Sequence, residues 1–210
     1  IAGHARKINC FPENFGTPAV MAYAYDQNPM VSAVLPDDET SAYQMTRYLI
    51  RKGHKKIALL AGREDNLHTR RRLKGYQNAL FDAQILYNPR LVRYVDWNKP
   101  SGYQETKRLL KEDITAIFCM ADTIAGGVYQ YLDEQGLRAG RDVSVVGFDN
   151  HVLSEYMIPG LTTMALPLKE IGTTSAKLLF DQIEKGEVEM NREILIPCFL
   201  VERCSVKEIK

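Results

Sequence analysis

The residues best placed to do chemistry lie in Asp142 to Asn150, DVSVVGFDN. Val143, Val145 and Val146 form a β-branched run that reads as a strand, and Gly147 marks a place where the backbone turns or is approached closely. The run ends in Gly-Phe-Asp-Asn, so the Asp149 carboxylate stands at the carboxyl tip of a strand. In open α/β sheets ligands bind in the crevice beyond such tips, which makes Asp149 a candidate ligand acceptor. Three adjacent arginines, Arg70, Arg71 and Arg72, form a basic cluster that taken alone reads as surface charge. His4, His54, His68 and His151 show no metal-ligand spacing, and there is neither a GxSxG elbow nor a Walker loop. Gly-Phe-Asp-Asn is no catalytic dyad either, so the pattern favours binding over catalysis.

The elements that must position these groups alternate in type. Ala19 to Tyr25 and Met30 to Leu35 read as strands separated by the turn signal Asp26-Gln27-Asn28-Pro29. Pro36-Asp37-Asp38-Glu39 opens a helix whose apolar positions Ala42, Met45, Leu49 and Ile50 keep helical spacing up to Gly53. Ile57 to Ala61 is a continuous apolar run, typical of a strand covered on both faces. Gly62 to Thr69 reads as a polar loop containing His68, followed by a helix from Arg70 to Ala83. Strands at Leu91–Val95 and Ile114–Met120 then alternate with helices at Ser101–Leu110 and Thr123–Glu134. Gly126 and Gly127 inside the last helix imply close helix packing or a late helix start. An amphipathic helix from Leu168 to Ile183 closes at Gly186, and Ile194 to Val201 is a strand interrupted by Pro197. A proline cannot donate to a ladder, which places an edge or a crossing there. Such alternation implies parallel sheets with right-handed crossovers.

Size and charge bound the function. The 210 residues suffice for one large or two small domains, and 27 basic against 26 acidic residues give a net charge of +1. That is no electrostatic footprint for nucleic acid or an anionic membrane, and no apolar run approaches the roughly 20 residues of a membrane helix. Cys10, Cys119, Cys198 and Cys204 form no CxxC pair, and reduced thiols of a cytoplasmic protein are the expectation. The start, IAGHARKINC, carries no secretory signal and no initiating Met. It is expected to follow a cleavage or to lie part-way through a longer product.

Four segments carry a resemblance: LIRKGHKKIALLAG (49–62), RRLKGY (71–76), DEQGLRAGRDVSVVGFDN (133–150) and IPGLTTM (158–164). In this order and spacing the chain resembles the lactose-repressor/galactose-repressor (LacI/GalR) family of transcription regulators over nearly its whole length. The resemblance implies an α/β fold of type I periplasmic-binding-protein kind, with two Rossmann-like subdomains, parallel sheets and ligand in the cleft between them. It divides the chain into 1–36 plus 167–194, a partial N-terminal subdomain, and 37–166 plus 195–210, the C-terminal one. Crossings then fall near Leu35–Asp37, Ala165–Leu168 and Ile194–Pro197. The family's helix-turn-helix domain has no counterpart here, and about half of the first subdomain would precede Ile1. That missing part is expected to come from another copy, to have been lost after folding, or to lie outside this sequence.

By the same resemblance Asp149 accepts hydrogen bonds from ligand hydroxyls, and Arg72 clamps hydroxyls or an anion. Trp97 matches a position for an aromatic against the ligand, a core or rim tryptophan being the alternative. Asp122 is expected to cap the helix at Thr123, with a ligand-facing role second. His68 is either solvated or a further polar contact. Ala121 and Leu166 stand where sugar-binding members often carry polar residues, so the pocket is less polar than a typical hexose site. The expected partners are a small-molecule effector, a carbohydrate first, a second copy of the chain, and operator DNA through the absent domain; neither cofactor nor membrane is implied. Tyr129, Leu132 and Met157, on the helix 123–134 and the segment Leu153–Met157, are the expected apolar members of a dimer surface. A periplasmic sugar-binding protein of a transporter is the alternative, and an enzyme on this fold a third.

Overall fold

The computed structural model describes residues 11–12, 14–186 and 192–209; Ile1, His4 and Cys10 lie outside them. In chain order the elements are β1 Ala19–Ala22, β2 Val31–Pro36, α1 Asp38–Arg51, β3 Ile57–Ala61, α2 Leu67–Asp82, β4 Val92–Tyr94, α3 Lys99–Leu109, β5 Ala116–Cys119, α4 Asp122–Glu134, β6 Ser144–Asp149, α5 Leu153–Tyr156, β7 Thr162–Ala165, α6 Leu168–Lys185, β8 Glu193–Ile196 and β9 Phe199–Val201. They form a three-stranded parallel sheet, β1-β2-β8, and a six-stranded sheet, β4-β3-β5-β6-β7-β9, in which only β9 runs antiparallel.

The continuous apolar strands acquire their reason in the larger sheet. Alternate residues of β3, Ile57, Leu59 and Ala61, join Phe118, Val146 and Phe148 in a core roofed by Met45 and Leu49 of α1 and Tyr76 and Leu80 of α2. The intervening Ala58 and Leu60 join Ile117, Cys119 and Val145 under Leu109 of α3 and Ile124, Val128 and Leu132 of α4. Period-two alternation therefore points every residue of these strands at a helix layer, and none can be polar without a partner. α3 and α4 approach closely because of Gly127: a Cβ there would stand 2.1 Å from the Lys99 carbonyl oxygen of α3. The helix is neither late nor loosened; the close-packing expectation holds.

The smaller sheet packs Val20 and Val34 against Ile171 and Leu178 of α6, and Met21, Ala33 and Leu35 on its other side against Phe11 and Phe15. The chain passes between the sheets three times, from β2 into α1, from β7 into α6, and from β8 into β9. The last passage resolves the run Ile194 to Val201 into two strands of different sheets, parted at Pro197 and Cys198, where a bent backbone drops its ladder partners. Cys119 and Cys198 are buried free thiols and Cys204 is exposed.

Two boundaries differ from expectation. α2 begins at Leu67, within the expected loop, because the Asn66 side chain accepts from the amides of His68 and Thr69 and caps the helix there. α4 begins at Asp122 itself, with Ala121 in the cap position and no side-chain cap. Tyr129, Leu132 and Met157, expected on a dimer surface, pack instead into the second core: Leu132 and Met157 are buried and Tyr129 donates its hydroxyl to the Pro159 carbonyl at 2.9 Å. Leu132 and Met157 are thus covered by their own chain, and Tyr129 in part.

Candidate ligand site

The carboxyl tips of both sheets converge on Arg72. One turn inside α2, this guanidinium is 1% exposed. Its Nε donates to Asp38 Oδ1 at 2.7 Å and its Nη1 to the Met120 carbonyl, while the Phe148 ring lies under Cζ at 3.6 Å. Asp149 stands with Oδ1 3.9 Å from Nη1, and Trp97 with its ring centre 6.0 Å from Cζ. His68, four residues before Arg72 and on the same helix face, hands Nδ1 to the other oxygen of Asp38 at 2.5 Å. Tyr23, just beyond β1, stacks on the His68 ring at 4.7 Å. Residues from both sheets thus close around one guanidinium.

The backbone is strained where the site needs it. Asp149 has φ 114°, Asn150 φ 54° and Tyr23 φ 56°, all in the region that favours glycine. Such conformations cost on the order of 1–3 kcal/mol each and persist only where surrounding structure over-determines them. Here they lie just at or beyond the tips of β1 and β6, beside Arg72 and His68.

Charge in the cluster is tightly coupled. Burial pushes the Asp38 carboxyl up, but Arg72 and His68 overcome it and hold Asp38 below the ordinary carboxylate range. For Arg72, burial opposes the charged form, and Asp38, Tyr23 and Asp149 outweigh it. Burial raises Asp149 to about 7 despite the pull of Arg72, with Asp122 and Asp38 adding to the rise. The Tyr23 hydroxyl is held protonated by its burial.

Of the residues expected from sequence, Asp149, Arg72, Trp97 and His68 meet here. His68 is not solvated: it is 4% exposed and belongs to α2. Asp122 corrects the capping expectation. Fully buried, its carboxylate accepts from Thr163 Oγ1 and from the His151 amide, each at 2.7 Å, and so braces β7 and the backbone after Asp149 rather than the start of α4. Gly147 makes room for it, since a Cβ there would sit 2.1 Å from Asp122 Oδ1. Arg71 pairs with Glu193 across the sheets at 2.8 Å, and Arg70 is exposed. Ala121 is buried and Leu166 partly buried against the core, so neither brings a polar atom.

Sequence reasoning missed Tyr23 and Asp38. The rule applied to Asp149, that the residue beyond a parallel strand is a ligand candidate, would have found Tyr23 after β1 and Asp38 after β2. Asp38 escaped because an acidic residue in a helix's first turn already has a sufficient explanation.

Strained strand tips from both sheets thus surround a buried guanidinium, carboxylates and aromatic rings, on an α/β fold of two mostly parallel sheets. The sequence profile described as periplasmic binding protein-like domain matches residues 46–206. A LacI family transcriptional regulator from Enterococcus faecium, solved with bound ribose, superposes with a TM-score of 0.82 at 34% identity over 92% of this chain and 72% of its own. The repressor CytR of Escherichia coli K12 is 34% identical over 194 residues, 91% of this chain and 57% of the relative. The ribose operon repressor of Haemophilus influenzae is 34% identical over 179 residues, 84% of this chain and 54% of the relative. The chain belongs to the LacI family of transcription regulators, as part of their periplasmic binding protein-like domain. It spans about half the length of these curated relatives.

Proposed function

We propose that this chain is the effector-sensing core of a transcriptional repressor that takes a small carbohydrate in the cleft between its two sheets and passes the binding event to operator DNA through a segment outside this sequence. The observation that carries the reading is the convergence of Asp149 at the tip of β6, Trp97 beyond β4 and Arg72 in α2. A carboxylate and a guanidinium can bracket neighbouring hydroxyls while an aromatic face covers the apolar side of a sugar ring. The two units would be 1–36 plus 167–194 and 37–166 plus 195–210, hinged at the three passages. Sensing requires that ligand bind two arrangements of these units with different affinity. The protein would work in the cytoplasm as a homodimer and leave its ligand chemically unchanged. Relatives that are repressors favour this reading over a transporter's binding protein.

The test is thermal-shift and calorimetric screening against ribose, cellobiose and a panel of mono- and disaccharides. One of them is expected to raise Tm, and Asp149→Ala and Arg72→Ala are each expected to weaken it at least about 10-fold, the loss of one charge-assisted bond. Full affinity in both variants would move the site elsewhere, and recovery of a converted ligand would restore an enzyme reading.

A further inference from the structure

The strand tip that carries Asp149 leaves its sheet through two consecutive non-glycine residues at positive φ, Asp149 at 114° and Asn150 at 54°. Such backbone persists only where its neighbours over-determine it. Two side chains from elsewhere in the chain meet the turn. Asp122, at the start of α4, accepts from the His151 amide on Oδ2 and from the Thr163 hydroxyl on Oδ1, each at 2.7 Å, so its carboxylate ties the turn to β7. Arg203, just beyond β9, donates from Nη2 to Asn150 Oδ1 at 2.9 Å and from Nη1 to the Leu161 carbonyl at 2.8 Å. Its own amide donates to Thr162 Oγ1 at 2.9 Å, which ties this second grip to β7 as well. Asp122 is fully buried with both oxygens engaged, and the Arg203 side chain is 18% exposed. β7 pairs with β6, Ala165 opposite Asp149, so strand, turn and grips form one frame.

We propose that Asp122 and Arg203 are positioning residues for the ligand carboxylate: their hold on the Asn150–His151 turn fixes Asp149 beside Arg72 in the free protein, so that ligand meets a site already arranged. What Asp149 binds rests on the carbohydrate-sensing reading above; how it is held does not. A ligand binds only the molecules in the competent arrangement, and its apparent affinity falls with their fraction. Without the grips Asp149 and Asn150 relax toward ordinary backbone angles, the carboxylate leaves Arg72, and each binding event must restore the strain. Substitutions at Asp122 separate this from an effect of charge. An asparagine there keeps an oxygen for the His151 amide and turns its nitrogen, a donor, toward the Thr163 hydroxyl oxygen, whereas alanine keeps neither.

Amide exchange followed by NMR, and calorimetry, both on the purified chain, test this. In the wild type without sugar the His151 amide is expected to exchange slowly, to turn fast in Asp122→Ala and to stay slow in Asp122→Asn. With whichever sugar of the ribose and cellobiose panel raises Tm, Asp122→Ala and Arg203→Met are each expected to bind at least about 10-fold more weakly, and Asp122→Asn within about 3-fold of wild type. Full affinity in a folded Asp122→Ala or Arg203→Met protein would overturn the role of that residue. Equal loss in Asp122→Asn and Asp122→Ala would overturn positioning by making the charge of Asp122 the cause. Should Asp122→Ala fail to fold, the wild type decides, because an unprotected His151 amide there would overturn the hold itself. If no sugar binds, the sensing reading falls, and the exchange of His151 still judges the hold on Asp149.

Discussion

Asp122 and Asp149 are carboxylates bent to different tasks by their surroundings. Asp149 stands beside Arg72 with its side chain 28% exposed, whereas Asp122 is enclosed and holds Thr163 and the His151 amide. Burial raises the Asp122 carboxyl to about 6 from an ordinary 3.8, the hydrogen bonds from Thr163 and His151 only moderating the rise. A raised acid stabilises the fold below its unfolded value, near pH 4, and that contribution fades as pH climbs through about 6. Wild-type stability minus that of Asp122→Asn is therefore expected to fall by roughly 2 kcal/mol between pH 4 and pH 7, read by denaturant unfolding at each pH. A flat difference would mean that Asp122 ionises freely. Asp149 was legible from sequence because its position at a strand tip had no competing explanation. Asp38 was not, because helix capping chemistry accounted for it equally well. His68 could have been found: Asn66 is a preferred cap residue, and starting the helix at Leu67 puts His68 and Arg72 four apart on one face.

The short helix α5 and its flanks show what an element presents to others. Val152, Leu153, Tyr156 and Ile158 are 65%, 40%, 76% and 90% exposed, an apolar run on a segment that the rest of the chain holds firmly. Arg203 does the holding, donating to Ser154 Oγ, the Leu161 carbonyl and Asn150 Oδ1. A rigid exposed apolar segment is a candidate contact surface. We propose α5 and its flank as a self-association surface, with exposed Tyr156 and Ile158 as its apolar members in place of buried Leu132 and Met157. If the chain dimerises there, the pair Tyr156→Asp and Ile158→Asp is expected to sediment as a monomer at concentrations where the wild type is dimeric. Its Tm should change little, because exposed substitutions of this kind cost within about 0.5 kcal/mol each. An unchanged sedimentation coefficient would remove this surface from consideration. The period-two burial of β3, β5 and β6 was readable in advance from unbroken apolar runs, whereas which apolar residues of α4 and α5 face outward was not, since periodicity gives faces and not neighbours.

At the scale of the molecule, two sheets are coupled by three passages of chain and by side chains that reach across. Arg71 of α2 grips Glu193 of β8 with both carboxylate oxygens, at 2.8 and 2.9 Å, and Tyr23 stacks on His68. Glu193→Ala is expected to raise amide exchange in β8 and the first turns of α2 with little change in global Tm, because a partly exposed ion pair contributes little to overall stability. Exchange rates identical to wild type would show that the passages alone set the spacing of the sheets. By itself the sequence determined the alternation of strand and helix, the family, the strand-tip carboxylate and the break at Pro197. These follow from local rules: side-chain period, turn chemistry, and the missing donor of proline. Only the tertiary structure decided that Arg72 and His68 share Asp38, that Asp122 is a brace, and that Ile194 to Val201 serves two sheets. Those facts depend on contacts between residues far apart in the chain, where burial and charge are set by neighbours that no local pattern names.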